Sequence, residues 1–362
     1  MSANDSKSFH RVIDMKRSNG VQRVTMQDIA RETGYSINTV SHALRNKDDI
    51  ARETRERIQK VAREMGYMGN AIASSLRSGR TRVIAVILGN MSNPFYAIMA
   101  DTLQDIAAAL DYSLLILCSR DRPDLEEQMV EAAVSRRVDG ILLFPANESL
   151  RTVDRLRSLG IPFVLMSRAL GDGIADSVVC DEVQGAYLAV NHLIQHGRKK
   201  LGFLAMQRIV YSYDRRLEGF NRACDEAGIP KADRHIHITY EPTLHEPPSQ
   251  EWHACLVHQL LRWREENVDG LFVFCDSEAW EVQSTLQQTA ELMDWNAGIV
   301  SFDNIQGTQH FPFGLCSVDC NFSEMARRGI DLLRSRIHGD DRPPQSVVCP
   351  VHFICRGSCK RL

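Results

Sequence analysis

The chain has 362 residues, with 43 Lys/Arg and 46 Asp/Glu side chains and a formal net charge of −3 at pH 7. This length is enough for two or three domains, each with its own hydrophobic core. No apolar stretch approaches the roughly 20 residues that cross a bilayer, and the polar N-terminus is not typical of a secretory signal. We therefore expect a cytoplasmic protein with no membrane partner.

The charge is divided unevenly along the chain. Residues 1–82 carry 16 basic and 9 acidic side chains, whereas residues 83–362 carry 27 basic and 37 acidic ones. A small basic end on an acidic body favours a polyanionic partner for that end alone. A solvated helical surface is the alternative, but it does not explain the asymmetry. Residues 1–22 are polar and are expected to be disordered.

Two short amphipathic helices are predicted near the N-terminus. Gly34 ends the first helix, since glycine adopts positive φ without strain, and Ser36 can cap the second. Apolar residues at positions i, i+3 and i+4 form the inner faces, with Met26, Ile29 and Ala30 in the first helix and Val40, Ala43 and Leu44 in the second. Two helices joined by a tight turn make a helix-turn-helix, although an ordinary αα-hairpin has the same pattern.

The following segments decide between these readings. The pattern of residues 54–67 predicts a third amphipathic helix that ends in Gly-Tyr. Asn70–Gly79 follows as a short segment rich in Ala, Ser and Leu, with a basic linker at its end. The whole series over residues 24–82 resembles the DNA-binding headpiece of the LacI/GalR family of bacterial transcriptional regulators. The resemblance implies a helix-turn-helix domain at 23–68 and a hinge helix with its linker at 69–82.

Residues 83–362 alternate strand-like and helix-like segments, which predicts parallel sheets with right-handed crossovers. Three short sequence segments are distinctive, namely Asn93-Pro-Phe-Tyr96, Arg216–Phe220 and Ser301-Phe-Asp303. They resemble the periplasmic-binding-protein-like core of the same family. The expected fold is an all-α headpiece followed by a two-lobed α/β core. The lobes are expected at about 83–180 with 321–339 (N-lobe) and about 181–320 with 340–362 (C-lobe).

The resemblance implies how the headpiece contacts double-stranded operator DNA. Ile37, Asn38 and His42 match base-reading positions at the start of the second helix. His42 is expected to donate to guanine, although many family members have arginine there. Further residues match positions that approach phosphates, namely Thr25, Ser36, Thr39, Ser41, Thr54, Tyr67 and Asn70. Ser36 and Thr54 also fit simple helix caps.

The resemblance also implies a hinge helix that enters the minor groove from two subunits. Leu76 matches the leucine that wedges between base pairs, and Asn70 and Ala73 lie in the same segment. Gly69 replaces the usual proline before this segment. A homodimer, possibly of higher order, on a palindromic operator is therefore expected.

An effector site is expected where polar residues follow the strands of the core, because ligands bind at the carboxyl ends of parallel sheets. Residues in the matching family regions are Phe95, Tyr96, Ser167, Arg216, Cys275, Asp276, Asp303 and Phe322. An arginine and an aspartate in one pocket suit a sugar or sugar derivative. Cys275 stands where the family usually has asparagine, so a nucleobase or a sugar acid remains open. Inducer and co-repressor logic both remain open.

Catalytic and cofactor motifs do not stand out, so we expect a regulator and not an enzyme. A sugar-binding module without DNA binding and a small-molecule enzyme are the alternatives, and the basic headpiece disfavours the first. Ten cysteines are scattered without a Cys-x-x-Cys pair and are expected to be reduced. Cys316 with Cys320, and Cys355 with Cys359, are set aside as metal ligands because nothing adjacent in sequence completes a ligand set.

Overall fold

The computed structural model describes residues 24–67, 79–146, 150–171, 173–205, 210–238, 250–305 and 314–360. The chain divides into two compact units, Met1–Gly79 and Arg80–Leu362. The expectations for residues 1–22 and for the hinge residues Asn70, Ala73 and Leu76 lie outside the described residues.

The first unit contains three helices in its described part, α1 (Met26–Thr33), α2 (Ile37–Leu44) and α3 (Arg52–Glu64). Their inner faces form one small core of Ile29, Val40, Ala43, Ile58 and Ala62. The predicted end of α1 is confirmed, since Gly34 has φ 75° and its N–H bonds the Ala30 carbonyl. The apolar spacing of the sequence is therefore what packs these helices.

The start of α3 differs from the cap that Thr54 was expected to form. The helix begins at Arg52 after Ala51, and its first turn has no side-chain cap. Thr54 therefore lies inside the first turn, and its role as a cap is wrong. The helix is held to α2 by Gln59, whose Nε2 donates to the Ala43 carbonyl at 2.9 Å.

The second unit contains two six-stranded sheets. The N-lobe sheet has the order β11-β5-β4-β3-β1-β2, and every pairing in it is parallel. Its strands are β1 (Val83–Leu88), β2 (Ser113–Cys118), β3 (Gly140–Leu143), β4 (Phe163–Met166), β5 (Ser177–Cys180) and β11 (Ser346–Cys349). The helices of this lobe are α4 (Pro94–Ala109), α5 (Pro123–Ser135), α6 (Arg151–Ser158) and α11 (Phe322–Ile337).

The C-lobe sheet has the order β12-β10-β9-β8-β6-β7, with only β12 antiparallel to its neighbour. Its strands are β6 (Leu201–Ala205), β7 (Arg234–Ile238), β8 (Gly270–Val273), β9 (Gly298–Asp303), β10 (Cys316–Asp319) and β12 (His352–Ile354). The helices of this lobe are α7 (Glu182–Gln195), α8 (Val210–Glu226), α9 (Gln250–Glu265) and α10 (Asp276–Gln288). Strands buried on both faces explain the continuous apolar runs of the sequence.

The chain passes between the sheets three times, after β5, after β10 and after β11. The last passage corrects one expected boundary. Residues 340–362 were assigned to the C-lobe, but Ser346–Cys349 pair in parallel with β5 of the N-lobe sheet. Only β12 and the residues after it join the C-lobe. A parallel edge strand is set by its distant partner, which local sequence does not reveal.

Candidate nucleic-acid interface and effector pocket

The first turn of α2 presents its side chains to solvent. The Ser36 hydroxyl accepts from the Thr39 N–H at 3.1 Å, which confirms Ser36 as the helix cap. Directly after it, Ile37 is 45% exposed and Asn38 is also exposed. A large apolar side chain and an amide therefore project side by side from a helix start, as base readout in the major groove requires.

His42 lies one turn further along α2 and is half-buried. Its Nδ1 lies 2.7 Å from Oδ2 of Asp49, a residue of the segment after α2. The carboxylate orients the imidazole ring and takes up one ring nitrogen. Only Nε2 then remains free to face a base edge, so the expected hydrogen bond of His42 to a base involves this nitrogen alone.

The hydroxyl groups of the headpiece differ from the expectation at one position. Ser41 was placed among the outward phosphate contacts, but it is only 8% exposed and packs inward on α2. Thr25 is exposed and forms a capping box with Asp28 at the start of α1. The Thr39 hydroxyl lies 2.9 Å from that of Ser36. Thr25, Ser36 and Thr39 thus stay accessible at helix starts, whereas Ser41 does not.

Tyr67 and Thr54 complete the described part of this surface. Tyr67 is half-buried and packs against the headpiece core, and Thr54 is half-buried in the first turn of α3. Neither is exposed to the degree of Ile37 or Asn38. Both keep part of their side-chain surface accessible, as Thr39 does.

In the core, one polar cluster lies at the carboxyl ends of the N-lobe strands. The Tyr96 hydroxyl donates to Asp121 at 3.4 Å, and Nη2 of Arg168 lies 3.5 Å from the same oxygen of Asp121. Gly89 permits this approach, since a Cβ there would lie 2.6 Å from the Asp121 carboxylate and 2.7 Å from the Tyr96 hydroxyl oxygen. Ser167, directly before Arg168, has φ 64°.

Aromatic rings flank this cluster at two helix starts. Phe95 is the second residue of α4, after Pro94, and Phe322 is the first residue of α11. Their ring centroids lie 5.2 Å apart, and both side chains are half-buried. The two expected pocket residues are therefore brought together, and they offer an apolar surface beside the polar groups.

A second polar cluster lies at the carboxyl ends of the C-lobe strands. The Arg216 guanidinium donates from Nε to Glu182 at 2.5 Å, and its Nη2 lies 3.5 Å from Oδ1 of Asp303. It also donates to the Phe274 carbonyl and lies 3.7 Å from the centroid of the Phe302 ring. Arg216 and Asp303 thus meet as the sequence predicted, but in a buried network.

Asp276 lies deeper than the sequence suggested. Its side chain has no exposed surface. Oδ1 accepts from the Ser301 and Ser317 hydroxyls, the latter at 2.6 Å, and Oδ2 accepts from the Ile305 N–H at 2.9 Å. With both oxygens occupied, Asp276 ties β9 and β10 together and positions the residues at the pocket. The direct contact expected of it is corrected to this positioning role.

Burial controls the ionisation of these groups. It raises the pKa of Asp303 to about 8 in spite of Arg216, and Asp276 and Glu182 add to the rise. Burial also raises the pKa of Asp276 to about 6, although its serine donors oppose this. The pKa of the Cys275 thiol is raised by burial as well. Burial lowers the pKa of Arg216, but Glu182 and Asp303 outweigh that effect, and the guanidinium stays charged.

With this geometry in place, family models match nearly the whole chain. Bacterial regulatory proteins of the lacI family match at residues 25–70, and the periplasmic binding proteins and sugar binding domain of the LacI family match at 81–243. A periplasmic binding protein-like domain matches at 190–359. The chain belongs to the LacI family. As a LacI-family protein it is a DNA-binding transcriptional regulator, and not an enzyme.

Curated relatives agree with this membership. The HTH-type transcriptional repressor PurR of Actinobacillus pleuropneumoniae serotype 3 is 25% identical over 340 residues, which covers 93% of this chain and 99% of the relative. The HTH-type transcriptional regulator DegA of Bacillus subtilis is 32% identical over 212 residues, 58% of this chain and 63% of the relative.

Solved structures share the fold. The lac repressor dimer bound to operator and the anti-inducer ONPF has a TM-score of 0.77 at 17% identity and covers 94% of this chain and 100% of its own. The transcriptional regulator CelR in complex with cellobiose has a TM-score of 0.65 at 22% identity, with 93% and 100% covered. The helices of the described residues include none that is both long and apolar enough to cross a membrane.

Three polar residues of the two core clusters were not predicted from the sequence. Asp121 and Arg168 follow β2 and β4, and Glu182 opens α7 directly after β5. The rule that selected Ser167 and Asp303, a polar residue just past a strand, would also have selected these. Four of the strands, β5, β10, β11 and β12, were not predicted from the sequence.

Proposed function

We propose that this chain is a homodimeric repressor of the LacI family that acts in the cytoplasm on a palindromic operator. Ile37, Asn38 and His42 read base edges, and Thr25, Ser36 and Thr39 approach phosphates. A small polar metabolite between the two lobes controls operator affinity. The exposed first turn of α2, with Ile37 and Asn38 next to each other, is the observation that carries the DNA-reading part.

Symmetry supports a two-fold operator. One α2 reads only a few base pairs, so two headpieces related by a two-fold axis are needed for a specific site. The operator-bound dimer among the structural neighbours is a precedent for this arrangement. The basic headpiece adds affinity that does not depend on sequence and that weakens with salt.

The DNA-reading proposal is tested with the full-length protein and a random duplex library. Repeated selection is expected to enrich palindromic sites, and gel shifts on the selected site are expected to weaken steeply as salt rises. Enrichment of no common sequence, or affinity that does not change with salt, contradicts the proposal.

The charge balance of the two core clusters supports a neutral polar effector. Arg168 faces Asp121, and Arg216 faces Glu182 and Asp303. With the Asp303 pKa at about 8, its carboxyl is mostly protonated at neutral pH, so neither cluster leaves a strong excess of charge. Alternating donors and acceptors then suit the hydroxyl groups of a sugar or sugar derivative. The pair Phe95 and Phe322 offers a surface for its apolar face.

A thermal-shift screen of the full-length protein tests the effector, because a ligand that binds the native state raises Tm. Neutral sugars form one arm, and sugar acids and nucleobases form two others. We expect a neutral sugar to raise Tm and to change operator affinity. Stabilisation by sugar acids alone, or by nucleobases alone, overturns the neutral-sugar assignment. Asp303→Asn should remove the response, and Asp341→Asn, an exposed change in the N-lobe connection, should keep it.

A further inference from the structure

Three cysteine side chains meet at the end of the C-lobe sheet that lies away from the effector pocket. Cys316 is the first residue of β10, whereas Asp303 pairs with Asp319 at the other end of that strand. Cys355 and Cys359 follow β12, in the C-terminal segment. The Sγ atoms of Cys316 and Cys355 are 3.8 Å apart, and those of Cys355 and Cys359 are 3.6 Å apart. All three sulfurs lie within 4.8 Å of one another.

These separations match the edges of a tetrahedral thiolate site. Zn²⁺ binds cysteine sulfur at about 2.3 Å, so two sulfurs on one tetrahedral ion lie about 3.8 Å apart. Both separations lie within about 0.2 Å of that edge. Two of the three sulfur pairs therefore have the spacing of ligands on one tetrahedral ion, and the third pair lies within 4.8 Å.

The surroundings of the cluster suit thiolate ligands. The N–H of Arg356 donates to Sγ of Cys316 at 3.2 Å, which stabilises negative charge on that sulfur. Cys316 and Cys359 are buried, whereas Cys355 is exposed. Two ligands are thus held inside the lobe, and the third provides an entry path from solvent.

A histidine lies beside one of the three sulfurs. Nε2 of His192, on α7, lies 3.2 Å from Sγ of Cys359. The ring is held by Phe353 and His196, whose centroids lie 4.6 Å and 4.2 Å away. His192 groups with His196 and Cys359 and not with all three sulfurs, so its ring must turn toward Cys316 and Cys355 to complete a Cys₃His set.

We propose that Cys316, Cys355 and Cys359 bind Zn²⁺ or a similar thiophilic divalent cation, with His192 as the closing ligand. The ion joins the C-terminal segment to β10 and α7, and so stabilises the C-lobe. In the sequence, Cys316 is nearest to Cys320, and nothing adjacent completes a ligand set. In the fold, Sγ of Cys320 instead lies 3.9 Å from that of Cys180, and Cys316 joins the other pair.

Zn²⁺ and Co²⁺ titrations of the reduced, chelator-treated full-length protein test this site. We expect one Zn²⁺ per chain in competition with a chromophoric chelator, and a higher Tm on binding. Co²⁺ is expected to give the thiolate charge-transfer absorption of a tetrahedral site. Cys355→Ser should abolish tight binding, and because Cys355 is exposed this variant keeps the fold. Cys255→Ser, an exposed cysteine of α9 outside the cluster, is the matched control.

Three results overturn the proposal. One is Zn²⁺ affinity in Cys355→Ser equal to that of the unchanged protein. Another is Co²⁺ binding without thiolate absorption. The last is a Cys355–Cys359 disulfide in protein isolated under reducing conditions, detected by alkylation and intact mass. For His192→Ala we expect affinity about tenfold weaker or worse with the thiolate absorption retained, and unchanged affinity removes His192 from the ligand set.

Discussion

Nδ1 of His42 lies 2.7 Å from Oδ2 of Asp49. When the imidazole is neutral, this contact places its proton on Nδ1 and leaves Nε2 as an acceptor. In the major groove, the groups that donate to an acceptor are the amino groups of cytosine and adenine. On a neutral ring we therefore expect His42 to accept from an amino-bearing base, whereas donation to guanine requires a proton on Nε2.

Asp49→Ala is therefore expected to change the base preference at one position of each half-site. Without the carboxylate the ring can present either nitrogen, and discrimination at that position should fall by up to about 1–3 kcal/mol. Selection from a random duplex library followed by sequencing measures this. The rest of the site should stay as before, because Asp49 lies outside the first turn of α2. An unchanged preference would show that His42 does not read a base.

Asn38 is exposed and Ser41 is buried on the same helix, α2. Substituting each residue therefore tests which face of α2 contacts DNA. Asn38→Ala should weaken binding to the selected operator about tenfold to a hundredfold, in line with about 1–3 kcal/mol for a bidentate base contact. Ser41→Ala should have little effect on affinity because Ser41 is only 8% exposed. Gel shifts at fixed salt give both numbers. Equal losses in the two variants would contradict the orientation of α2.

Arg216→Ala is expected to destabilise the core by about 3–5 kcal/mol, since it leaves Glu182 and Asp303 buried without their partner. Arg215→Ala, next to it and more than half exposed, should cost at most about 1 kcal/mol. Urea unfolding of the full-length variants measures the difference. Adding Glu182→Gln and Asp303→Asn to Arg216→Ala should recover part of the loss. If the triple variant instead loses the sum of the three single losses in unfolding free energy, the three residues are not coupled.

The raised pKa of Asp303 makes stability depend on pH. Its folded pKa of about 8 lies above the ordinary aspartate value, so the folded state binds more protons between about pH 4 and pH 8. The contribution of Asp303 to the free energy of unfolding is therefore complete below about pH 4, and it is lost as the pH rises through 8. Asp303→Asn should flatten this decline in urea unfolding at several pH values. Asp341→Asn should leave it in place, and an equal slope in both variants would contradict the raised pKa.

Much of the core could be predicted from the sequence because the inner strands of both sheets are buried on both faces. Val83–Leu88 and Leu201–Ala205 have the bounds that their apolar runs indicate. The cap at Ser36 and the end of α1 at Gly34 are local effects, and the sequence predicts both. Thr54 was misplaced because a helix can start at Arg52 without any capping side chain.

The sequence by itself determined the family, the headpiece with its apolar faces, and the positions at which polar residues follow the strands. These depend on residue type and spacing within one segment, where periodicity carries the information. Only the tertiary structure decided which distant residues meet. It joined Ser346–Cys349 to the N-lobe sheet, buried Asp276 behind the pocket, turned His42 toward Asp49, and assembled Cys316 with Cys355 and Cys359. Such contacts follow from the packing of elements far apart in the chain, which no local pattern encodes.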